Sequence, residues 1–564
     1  MNVQKPEEDL VMTRTPAENS SSPKGHNEAL VIGASSLGTM FEWYDFFLYG
    51  ALATYIAQHF FSAVNDTTAF ILALAAFASG FIVRPFGALL FGRIGDVVGR
   101  KNTFLVTMAL MGVSTFIVGL LPGYDRLGVA APIILVGLRL VQGLAIGGEY
   151  GGAAIYVAEH APAEKRGLQT SFIQTTALVG LILSLLIIMG ARAAMPAEQF
   201  ADWGWRIPFL LSAILLAISM WIRLKLNESP VFQKMKEESA TSAAPWREAF
   251  GDWSNLKLIL IALAVIAGQA VSFYSGTFYV LFFLDRILKV DGFTANLVVM
   301  WALVIGGPFY VFFGWLSDKI GRKRILMAGL LIAALTINPV FHGLSAAANP
   351  ALAEAQKSNP VIVAANPDDC SLQFDPVGKK RFDKTACDIA KSYLTRTGVS
   401  YSNAPLGEGA QVRIGAAIIE APDPAGMDAA AKAEALNDFT ARVEASLRAA
   451  GYPAEVDPAR MNVPLMIALT AFFVAVQTMS YGPLAAMLVE LFPARIRYTS
   501  MSFPYHIGNG WFGGFLPTTA FAIVAATGNF YAGLWYAIAN MVFGLVIGIL
   551  FLPETRGRLV SHDR

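Results

Sequence analysis

The chain has 564 residues, of which 55% are hydrophobic and 15% are charged, and its formal net charge is +1. Its basic residues are distributed by membrane side over short loops and form no single basic face, so the net charge does not point to a nucleic acid and no such partner is expected. Apolar runs of about 20 residues or more recur, long enough to cross ~30 Å of hydrocarbon as helices. They predict an all-α polytopic membrane protein with twelve transmembrane helices: 31–58, 68–91, 103–121, 131–158, 169–192, 204–224, 256–284, 295–316, 325–346, 462–490, 498–526 and 529–552.

Residues 1–28 are rich in Pro, Ser and Glu and predict a disordered tail. The run that follows carries acidic residues and is too long for the apolar core of a signal peptide, so we expect it to remain as helix 1. Lys and Arg occupy every second loop. By the positive-inside rule these loops and both termini, including a tail at 554–564, are expected in the cytoplasm.

Helix 1 reads GTMFEWYDFFLYG and places Glu42 and Asp45 near the middle of the membrane on one helical face. Charges in a spanning helix are unfavourable and usually serve a pathway or an ion pair. Two carboxylates in a low-dielectric medium repel, so we expect at least one to carry a proton and the pair to couple transport to protons. The alternative is that one carboxylate is permanently paired and only stabilises the fold.

Helix 2 carries Arg84, which we place toward its cytoplasmic end in a structural role, either snorkelling or at a gate. The next loop, GRIGDVVGRK, returns as GWLSDKIGRK with each signature position shifted by 222 residues, which predicts two related halves. Short turns need the glycines, and the aspartates can cap a neighbouring helix or form ion pairs that break when the halves move. The predicted cytoplasmic gate comprises Gly92, Asp96, Gly99 and Arg100, with Gly314, Asp318, Gly321 and Arg322.

Helix 4 reads GLRLVQGLAIGGEYGGAA, with Arg139 and Gln142 on one face. The planar guanidinium of Arg139 suits either an anionic solute or a carboxylate of helix 1. Glu149 lies about 80° around the helix from Arg139, so we expect it to face a neighbouring helix. The glycines predict close helix packing, because the run lacks the lysine ending and the βαβ context of a nucleotide-binding loop.

Two acid and base pairs follow helices 4 and 10 at the same separation of seven residues: Glu159 with Arg166, and Glu490 with Arg497. We interpret them as latches of the cytoplasmic gate. The alternative is that they only fix the topology, as basic loops do.

The membrane segments of the second half keep few charges but several uncharged polar groups. Each alone is typical of a hydrogen bond between helices, and together they indicate that this half supplies solute recognition. The predicted solute contacts are Arg139, Gln142, Trp43, Tyr44, Gln269, Tyr274, Gln477, Tyr481 and Asn509, with His506 beside them. The aromatic members, with Phe273, equally fit a cage for a quaternary ammonium, so the solute class stays open between that and an organic acid.

The second half also carries an insertion. Asp96 to Glu159 spans 63 residues, whereas Asp318 to Glu490 spans 172, an excess of 109. The excess falls at about 347–461, on the side opposite the basic loops.

Within the insertion, β-like runs at 361–365 and 412–420 and helical runs at 385–398 and 427–451 predict a small α+β domain. The only two cysteines of the chain, Cys370 and Cys387, lie there, in a compartment where disulfides persist. We expect them to pair, and two free thiols are the alternative. We expect the domain to be a passive cap or an oligomer contact, since it shows no metal-ligand spacing and no catalytic pattern.

The two loop signatures, RLVQG in helix 4 and PETRGR after helix 12 resemble the major facilitator superfamily throughout the membrane portion. Within it, the segments FEWYDFFLYG, RPFGALLFGRIGDVVGRK, LVQGLAIGGEYGGAAIYVAEHAP, WGWRIPFLLS and LNESPVF are similar to the metabolite:proton symporter family. Members of that family import organic acids, shikimate, proline or betaine. The insertion departs from the family pattern, in which a short loop joins helices 9 and 10.

The resemblance implies two six-helix bundles that give alternating access to a site near mid-membrane, lined by helices 1, 4, 7 and 10. It implies that Asp45 and Arg139, with Glu42 beside them, couple protons, and that Asp96 and Arg100 act in the gate. The bundles are predicted at 29–226 and at 256–346 with 462–553, with a cytoplasmic linker at 227–255 and the periplasmic insertion at 347–461.

We therefore expect an inner-membrane transporter that imports a small polar metabolite, in the first place an organic acid, by proton symport, with no cofactor or metal. Its expected partners are the metabolite, protons and the bilayer, and the insertion offers a surface for a partner or a second copy.

Two alternatives stay open. A proton-driven exporter would share the architecture, and a receptor would bind its ligand through the insertion. An enzyme is not expected, because no set of nucleophile, base and oxyanion donor is recognisable.

Overall fold

The computed structural model describes residues 28–63, 66–224, 228–238, 242, 244–371, 382–453 and 456–558. The tail predicted at 1–28 lies outside these residues apart from Glu28, which begins the first helix. The last six residues of the tail predicted at 554–564 also lie outside them.

Six long helices form the first half: α1 (Glu28–Ala51), α2 (Asp66–Val97), α3 (Arg100–Leu120), α4 (Ala130–His160), α5 (Arg166–Ala193) and α6 (Ile207–Leu224). α1 packs on α5 and α6, α2 on α4, and α3 on α4 and α6. Gly87 of α2 lies against the backbone of Leu144, and Gly143 of α4 lies against the backbone of Gly80, so neither position has room for a Cβ. The close packing predicted for the glycines of α4 is confirmed.

The second half repeats this arrangement. Its helices are α7 (Trp253–Tyr274, continued by π-helical turns to Ile287), α8 (Gly292–Gly306 and Pro308–Ile320), α9 (Arg322–Ala348), α10 (Val463–Tyr481 and Leu484–Leu491), α11 (Arg497–Ile507 and, after a π-helical turn, Leu516–Thr527) and α12 (Leu534–Phe551). α7 packs on α11 and α12, α8 on α10, and α9 on α10 and α12. These pairs match those of the first half six helices earlier. The halves meet where α2 contacts α11 and α5 contacts α8.

Nine helices within the described ranges are long and apolar enough to cross a membrane: Arg100–Leu120, Ala130–His160, Ala163–Ala193, Gly204–Leu224, Trp253–Asp285, Gly292–Ile320, Arg322–Ala348, Val463–Leu491 and Leu534–Phe551. The helices α1, α2 and α11 are not among these nine, so the count of twelve spans stays a prediction. Large apolar side chains such as Leu335, Trp535 and Leu550 point outward from the bundle, as a lipid-facing surface requires.

Between α9 and α10 the chain forms a four-stranded sheet of β1 (Val361–Ala365), β2 (Tyr401–Pro405), β3 (Ala410–Ile414) and β4 (Ala417–Glu420), in the order β2-β1-β3-β4. β1 and β2 are parallel and are joined through the helix Ala386–Thr397, whereas β3 and β4 form an antiparallel hairpin. The longer helix Ala429–Ala449 follows. We call residues 350–458 the inserted domain.

The structure confirms the predicted pairing of Cys370 with Cys387. This bond ties the segment after β1 to the first turn of the helix Ala386–Thr397, whose N-cap Thr385 accepts a hydrogen bond from the backbone of Asp388. The single run predicted at 412–420 is two strands, because Gly415 adopts a positive φ of 56° and turns the chain. The strand β2 was not predicted.

The inserted domain enters and leaves the bundle at one point, since the Asn462 backbone N–H donates to the Ala347 carbonyl at 2.8 Å. It also rests on the turn between α11 and α12. The Tyr401 backbone N–H donates to the Gly528 carbonyl at 2.9 Å, and Asn403 Nδ2 donates to the Thr527 carbonyl at 2.9 Å. These bonds attach the domain to the second half.

Candidate functional site

Asp45 of α1 and Arg139 of α4 are buried inside the first half and are joined by two neutral side chains. Arg139 Nη1 donates to Gln142 Oε1 at 2.6 Å, and Gln142 Nε2 donates to Thr115 Oγ1 at 2.8 Å. The Thr115 hydroxyl donates to the Met111 carbonyl of its own helix at 3.0 Å and lies close enough to the Asp45 carboxyl to interact with it. The guanidinium of Arg139 also lies 4.2 Å from the centroid of the Tyr49 ring. We call Asp45, Thr115, Gln142 and Arg139 the polar chain. The charges at its two ends lie close enough to interact electrostatically.

Two other residues predicted on helix 1 are not placed in the polar chain. The Tyr44 side chain is fully buried and its hydroxyl donates to the Pro208 carbonyl at 2.7 Å, so it faces the inside of the first half. The backbone of Glu42 is helical, but its side chain lies outside the described part of the structure. Its part in proton coupling stays a prediction.

Aromatic side chains from both halves meet between the bundles. Trp43 of α1 lies 6.5 Å from Phe273 of α7, and Phe47 stacks on Phe278 at 5.7 Å between ring centroids. Tyr481 of α10 packs edge-on against Phe273 at 5.2 Å. We call these five residues the aromatic layer. It brings together three predicted positions, on α1, α7 and α10.

A second set of contacts joins the halves nearer to the loops GRIGDVVGRK and GWLSDKIGRK, a side of the molecule that we call the basic-loop side. Tyr150 of α4 stacks on Tyr505 of α11, with 3.6 Å between ring centroids. The Tyr505 hydroxyl lies 2.7 Å from the Tyr481 hydroxyl, and Gln174 Nε2 donates to the Tyr150 hydroxyl at 2.6 Å. These tyrosines close the space between the halves below the aromatic layer.

The position of Arg84 corrects the sequence prediction. Arg84 lies 13 residues before the end of α2 at Val97, about 20 Å along the helix, and it is buried, so its side chain does not reach the basic-loop end of the helix. Its guanidinium lies 4.4 Å from the centroid of the Phe81 ring and 4.9 Å from that of Phe46, and it is close enough to the Tyr274 hydroxyl of α7 to interact with it. The aromatic faces and the hydroxyl hold the charge between the two halves.

Predicted polar residues of the second half lie buried in the same region. Neither ring nitrogen of His506 and neither amide atom of Gln269 has a hydrogen-bond partner within the described ranges. His506 is close enough to Arg84 to interact with it electrostatically. Asn509 instead donates to a carbonyl of its own helix, and Gln477 lies beside α7. Buried polar atoms that stay unpaired are uncommon and indicate a place for a ligand or for water.

On the basic-loop side, the predicted gate residues of the first half contact the start of α11. Asp96 accepts from the backbone N–H of Tyr498 at 3.1 Å and of Thr499 at 3.0 Å. These amides belong to the first helical turn, where no carbonyl within the helix is available to them. Arg100 pairs with Asp96 at 3.3 Å and donates to the Ala494 carbonyl at 2.8 Å. The predicted helix cap is present, and it joins one half to the other.

The second half shows the same geometry in reverse. Asp318 accepts from the backbone N–H of Gly167 at 2.9 Å and of Leu168 at 2.8 Å, at the start of α5. Arg322 pairs with Asp318 at 2.6 Å. Each half therefore caps a helix of its partner half through the same loop position.

The latch pairs differ from the sequence interpretation. Glu159 and Arg166 were expected to pair with each other, yet Arg497 Nη1 donates to Glu159 Oε1 at 2.7 Å and Arg166 Nη1 donates to Glu490 Oε1 at 2.9 Å. Each arginine begins a helix that packs against the other half, α5 against α8 and α11 against α2, so each contacts the glutamate of that half. The four residues form two crossed ion pairs, which we call the crossed latches.

At three gate positions the backbone conformation or the close packing requires glycine. Gly99 and Gly321 have φ values of 136° and 109°, which side chains rarely adopt. Gly92 lies against the backbone of Thr499, so a Cβ there would prevent α2 from approaching α11.

Sequence reasoning missed four residues that complete the gate. Glu228 accepts from a backbone N–H in the first turn of α3 at 3.1 Å, and Glu554 accepts from the first N–H of α9 at 2.9 Å. The neighbouring hydroxyls of Ser229 and Thr555 donate to the latch acid of the same half. The dipeptides Glu-Ser and Glu-Thr after the sixth and the twelfth helix are the signal that would have found them.

The chain matches transporters in comparisons with known proteins. The model of the sugar (and other) transporter family matches residues 30–244 and 448–562, and the MFS/sugar transport protein model matches residues 153–358. The alpha-ketoglutarate permease of Escherichia coli is 34% identical over 57% of this chain and 72% of the permease. The shikimate transporter of the same organism is 35% identical over 60% of this chain and 76% of the transporter.

Solved structures show the same fold. A structure of the proton:xylose symporter XylE matches with a TM-score of 0.60 at 15% identity, covering 94% of this chain and 97% of the symporter. A partially occluded, inward-open structure of XylE from E. coli matches with a TM-score of 0.55 at 17% identity, covering 94% and 99%. At such identities the likeness is one of fold alone.

Proposed function

We propose that this chain, which belongs to the sugar (and other) transporter family of the major facilitator superfamily, imports a small organic acid together with protons by alternating access. Membership makes it a multi-pass membrane transporter of small solutes and not an enzyme. We further propose the direction of transport, the coupling ion and the solute. We also propose that the chain lies in the inner membrane with twelve spans, cytoplasmic termini and a periplasmic inserted domain.

The polar chain from Asp45 to Arg139 is the observation that carries the proposal. A carboxyl and a guanidinium buried in a spanning bundle are unfavourable unless they serve a pathway. Here they interact electrostatically, with the hydrogen-bonded side chains of Gln142 and Thr115 between them. Protonation of Asp45 would remove its negative charge and release Arg139 and Gln142 to interact with the solute, which is how a proton would favour solute binding.

The gate contacts support alternating access. The aspartate caps and the crossed latches all lie on the basic-loop side, so the structure is closed there. Each contact joins one half to the other and would have to break for that side to open. We propose that the gate residues, including Gly92, Asp96 and Arg100, stabilise this closed state.

Arg84 supports an organic acid over a quaternary ammonium. A cage for a cation would need the faces of Trp43, Phe273 and Tyr274 to be free of positive charge. Arg84 interacts with Tyr274 and is buried with its charge beside this region. A second buried cation would be repelled, whereas a carboxylate would be attracted and could also use the unpaired atoms of His506 and Gln269.

Proteoliposomes with a pH electrode in the outer medium provide the test. We expect the outer medium to become alkaline when an accepted organic acid is added to correctly oriented protein, because protons enter with the solute. The panel contains 2-oxoglutarate, citrate, shikimate, aromatic acids, proline and glycine betaine. A response to betaine alone would overturn the solute class. Acidification would indicate exchange or export, and solute entry with no proton movement would overturn the coupling.

A further inference from the structure

A narrow cavity lies inside the first half, among α1, α3, α4 and α6. Its lining includes Asp45 of the polar chain, Glu149 of α4, Met111 of α3, and Ser212 and Ser219 of α6. None of these helices belongs to the second half, so the cavity is separate from the space between the bundles. The mechanism proposed above leaves Glu149 without a role.

Glu149 is 1% exposed, and neither of its carboxyl oxygens has a hydrogen-bond partner in the described part of the chain. The Ser219 hydroxyl, which lines the same cavity, is also buried without a partner there. A carboxylate left unpaired in such a place is strongly unfavourable, and it becomes tolerable when the group binds a proton or water. Two unpaired polar groups and a second carboxyl therefore face one small cavity.

The charged and titratable groups around Glu149 are few. Asp45 faces it from α1 across the cavity, Arg223 interacts with it from the last turn of α6, and the Tyr498 side chain of α11 approaches it from the other half. Phe104 of α3 covers the guanidinium of Arg223 with its ring, 3.0 Å from the centroid. Glu149 thus lies between an acid of the polar chain and a base near the end of α6.

The order of these groups along α3 gives a direction. α3 begins at Arg100 on the basic-loop side. Thr107, in its second turn, lies against Gly148, the neighbour of Glu149, whereas Thr115, two turns further, lies near Asp45. Eight residues of helix separate the two levels, about 12 Å. Glu149 is therefore nearer to the basic-loop side than Asp45 is.

We propose that Glu149 is a second proton-binding carboxyl, and that water in this cavity carries the proton between Asp45 and Glu149 on its way to the basic-loop side. The proton route then runs through the interior of the first half, while the solute passes between the halves. This inference rests on the proposed proton symport. In each cycle Asp45 gives its proton to Glu149 through the water, and Glu149 releases it on the basic-loop side, so no group is consumed.

Glu149→Gln in the full chain is the test, because it keeps the shape of the side chain and removes its titration. For one proton per solute and a clamped membrane potential, a tenfold inward proton gradient supports about tenfold accumulation in the unmodified protein. We expect the variant to accumulate no solute above equilibrium, while it still exchanges labelled for unlabelled solute. Infrared difference spectra in H₂O and D₂O should lose a protonated-carboxyl band in the variant.

Ser219→Val gives an independent test if Glu149→Gln does not fold. The added methyl groups fill the cavity, and we expect a lower rate of proton-driven uptake with exchange retained. Ser114→Val is the matched control, because Ser114 is buried in α3, bonds to the Leu110 carbonyl and is not in the cavity lining.

The outcomes separate the two proposals. Full gradient-driven accumulation by Glu149→Gln would overturn the role of Glu149 and leave proton symport intact. Loss of exchange together with accumulation in a folded variant would indicate a structural role and would also overturn the inference. Uptake by the unmodified protein without any proton movement would overturn both.

Discussion

Asp45 and Arg139 form a charge pair in the middle of a bundle, with Gln142 and Thr115 between them, all buried inside the first half. In the proposed mechanism Asp45 carries the proton, whereas Arg139 and Gln142 contact the solute. A change at Asp45 should therefore affect coupling more than solute binding.

For Asp45→Asn we expect gradient-driven accumulation to be abolished and solute exchange to persist, since an amide cannot carry the proton but keeps the size and polarity of the side chain. Counterflow and pH-driven uptake in the same vesicles are the two measurements. Thr39→Val on the same helix is a suitable control for packing, because Thr39 is also buried. Normal accumulation by Asp45→Asn would contradict the assignment.

Arg84 gives a second prediction at this scale. Arg84→Lys keeps the charge but loses the planar group that stacks on Phe46 and Phe81, so we expect weaker solute binding with coupling retained. Arg84→Gln should weaken binding further, by about tenfold or more in the concentration for half-maximal uptake, as for loss of a charge-assisted hydrogen bond. Unchanged half-saturation in both variants would remove Arg84 from the solute site.

Spacing placed Asp45, Arg139 and the gate aspartates correctly because a helical repeat converts sequence separation directly into position. It failed for Arg84 and Tyr44, whose surroundings depend on which helix of which half packs against them. Two aromatic rings and a tyrosine hydroxyl keep Arg84 inside, and these come from α1, α2 and α7. Local sequence patterns carry no information on such contacts between helices that are distant in the sequence.

At the scale of elements, the crossed latches make the start of α5 and the start of α11 equivalent. Each begins with an arginine that enters the other half and meets a glutamate at the end of α4 or α10. The sequence showed both acids and both bases at equal spacing. It did not show that each arginine pairs with the glutamate of the other half, because spacing within one half carries no information on contacts between the halves.

Arg497→Ala should favour the state open on the basic-loop side. It leaves Glu159 buried with the Ser229 hydroxyl and the more distant Arg100, at 3.9 Å, and breaking a buried pair costs about 3 to 5 kcal/mol. Maleimide labelling of Ser502→Cys, a position buried between the halves, is expected to become faster. Arg495→Ala is the matched control, since its ion pair with Glu248 is partly exposed. Equal labelling in both variants would argue against a latch.

The disulfide acts on the inserted domain alone. It joins cysteines 17 positions apart, and closing a loop of that length stabilises a domain by roughly 3 kcal/mol in the chain-entropy model. We expect Cys370→Ser to increase hydrogen exchange and proteolysis within residues 350–458 and to leave the bundle unchanged. Faster exchange throughout the bundle would show that the domain supports the whole fold.

For the whole molecule, the six-helix offset of the packing pairs explains why two loop signatures were enough to predict two related halves. The inserted domain was predicted from composition and from the length difference of the halves. The hairpin of β3 and β4 and the strand β2 were not predicted. β2 has only five residues, most of them exposed, and such a short polar segment resembles a loop in the sequence.

Removal of residues 350–458 tests what the domain contributes. Its two ends lie side by side at Ala347 and Asn462, so a short linker can replace it. We expect the shortened protein to retain proton-coupled uptake, with changes in stability from the lost bonds to Gly528 and Thr527. Loss of solute binding with an intact bundle would favour a receptor that recognises its ligand through the domain.

The crossed latches also set a condition on biosynthesis. Arg166 and its partner Glu490 are 324 residues apart in the sequence. Asp96 and Tyr498, whose backbone amide it binds, are 402 residues apart. At a synthesis rate of about 5 to 20 residues per second, the first half spends roughly 15 to 80 seconds without its partners. During that interval its buried arginines and aspartate must be satisfied by water or by the membrane-insertion machinery. The second half completes the charge balance of the first only when the ribosome has nearly finished.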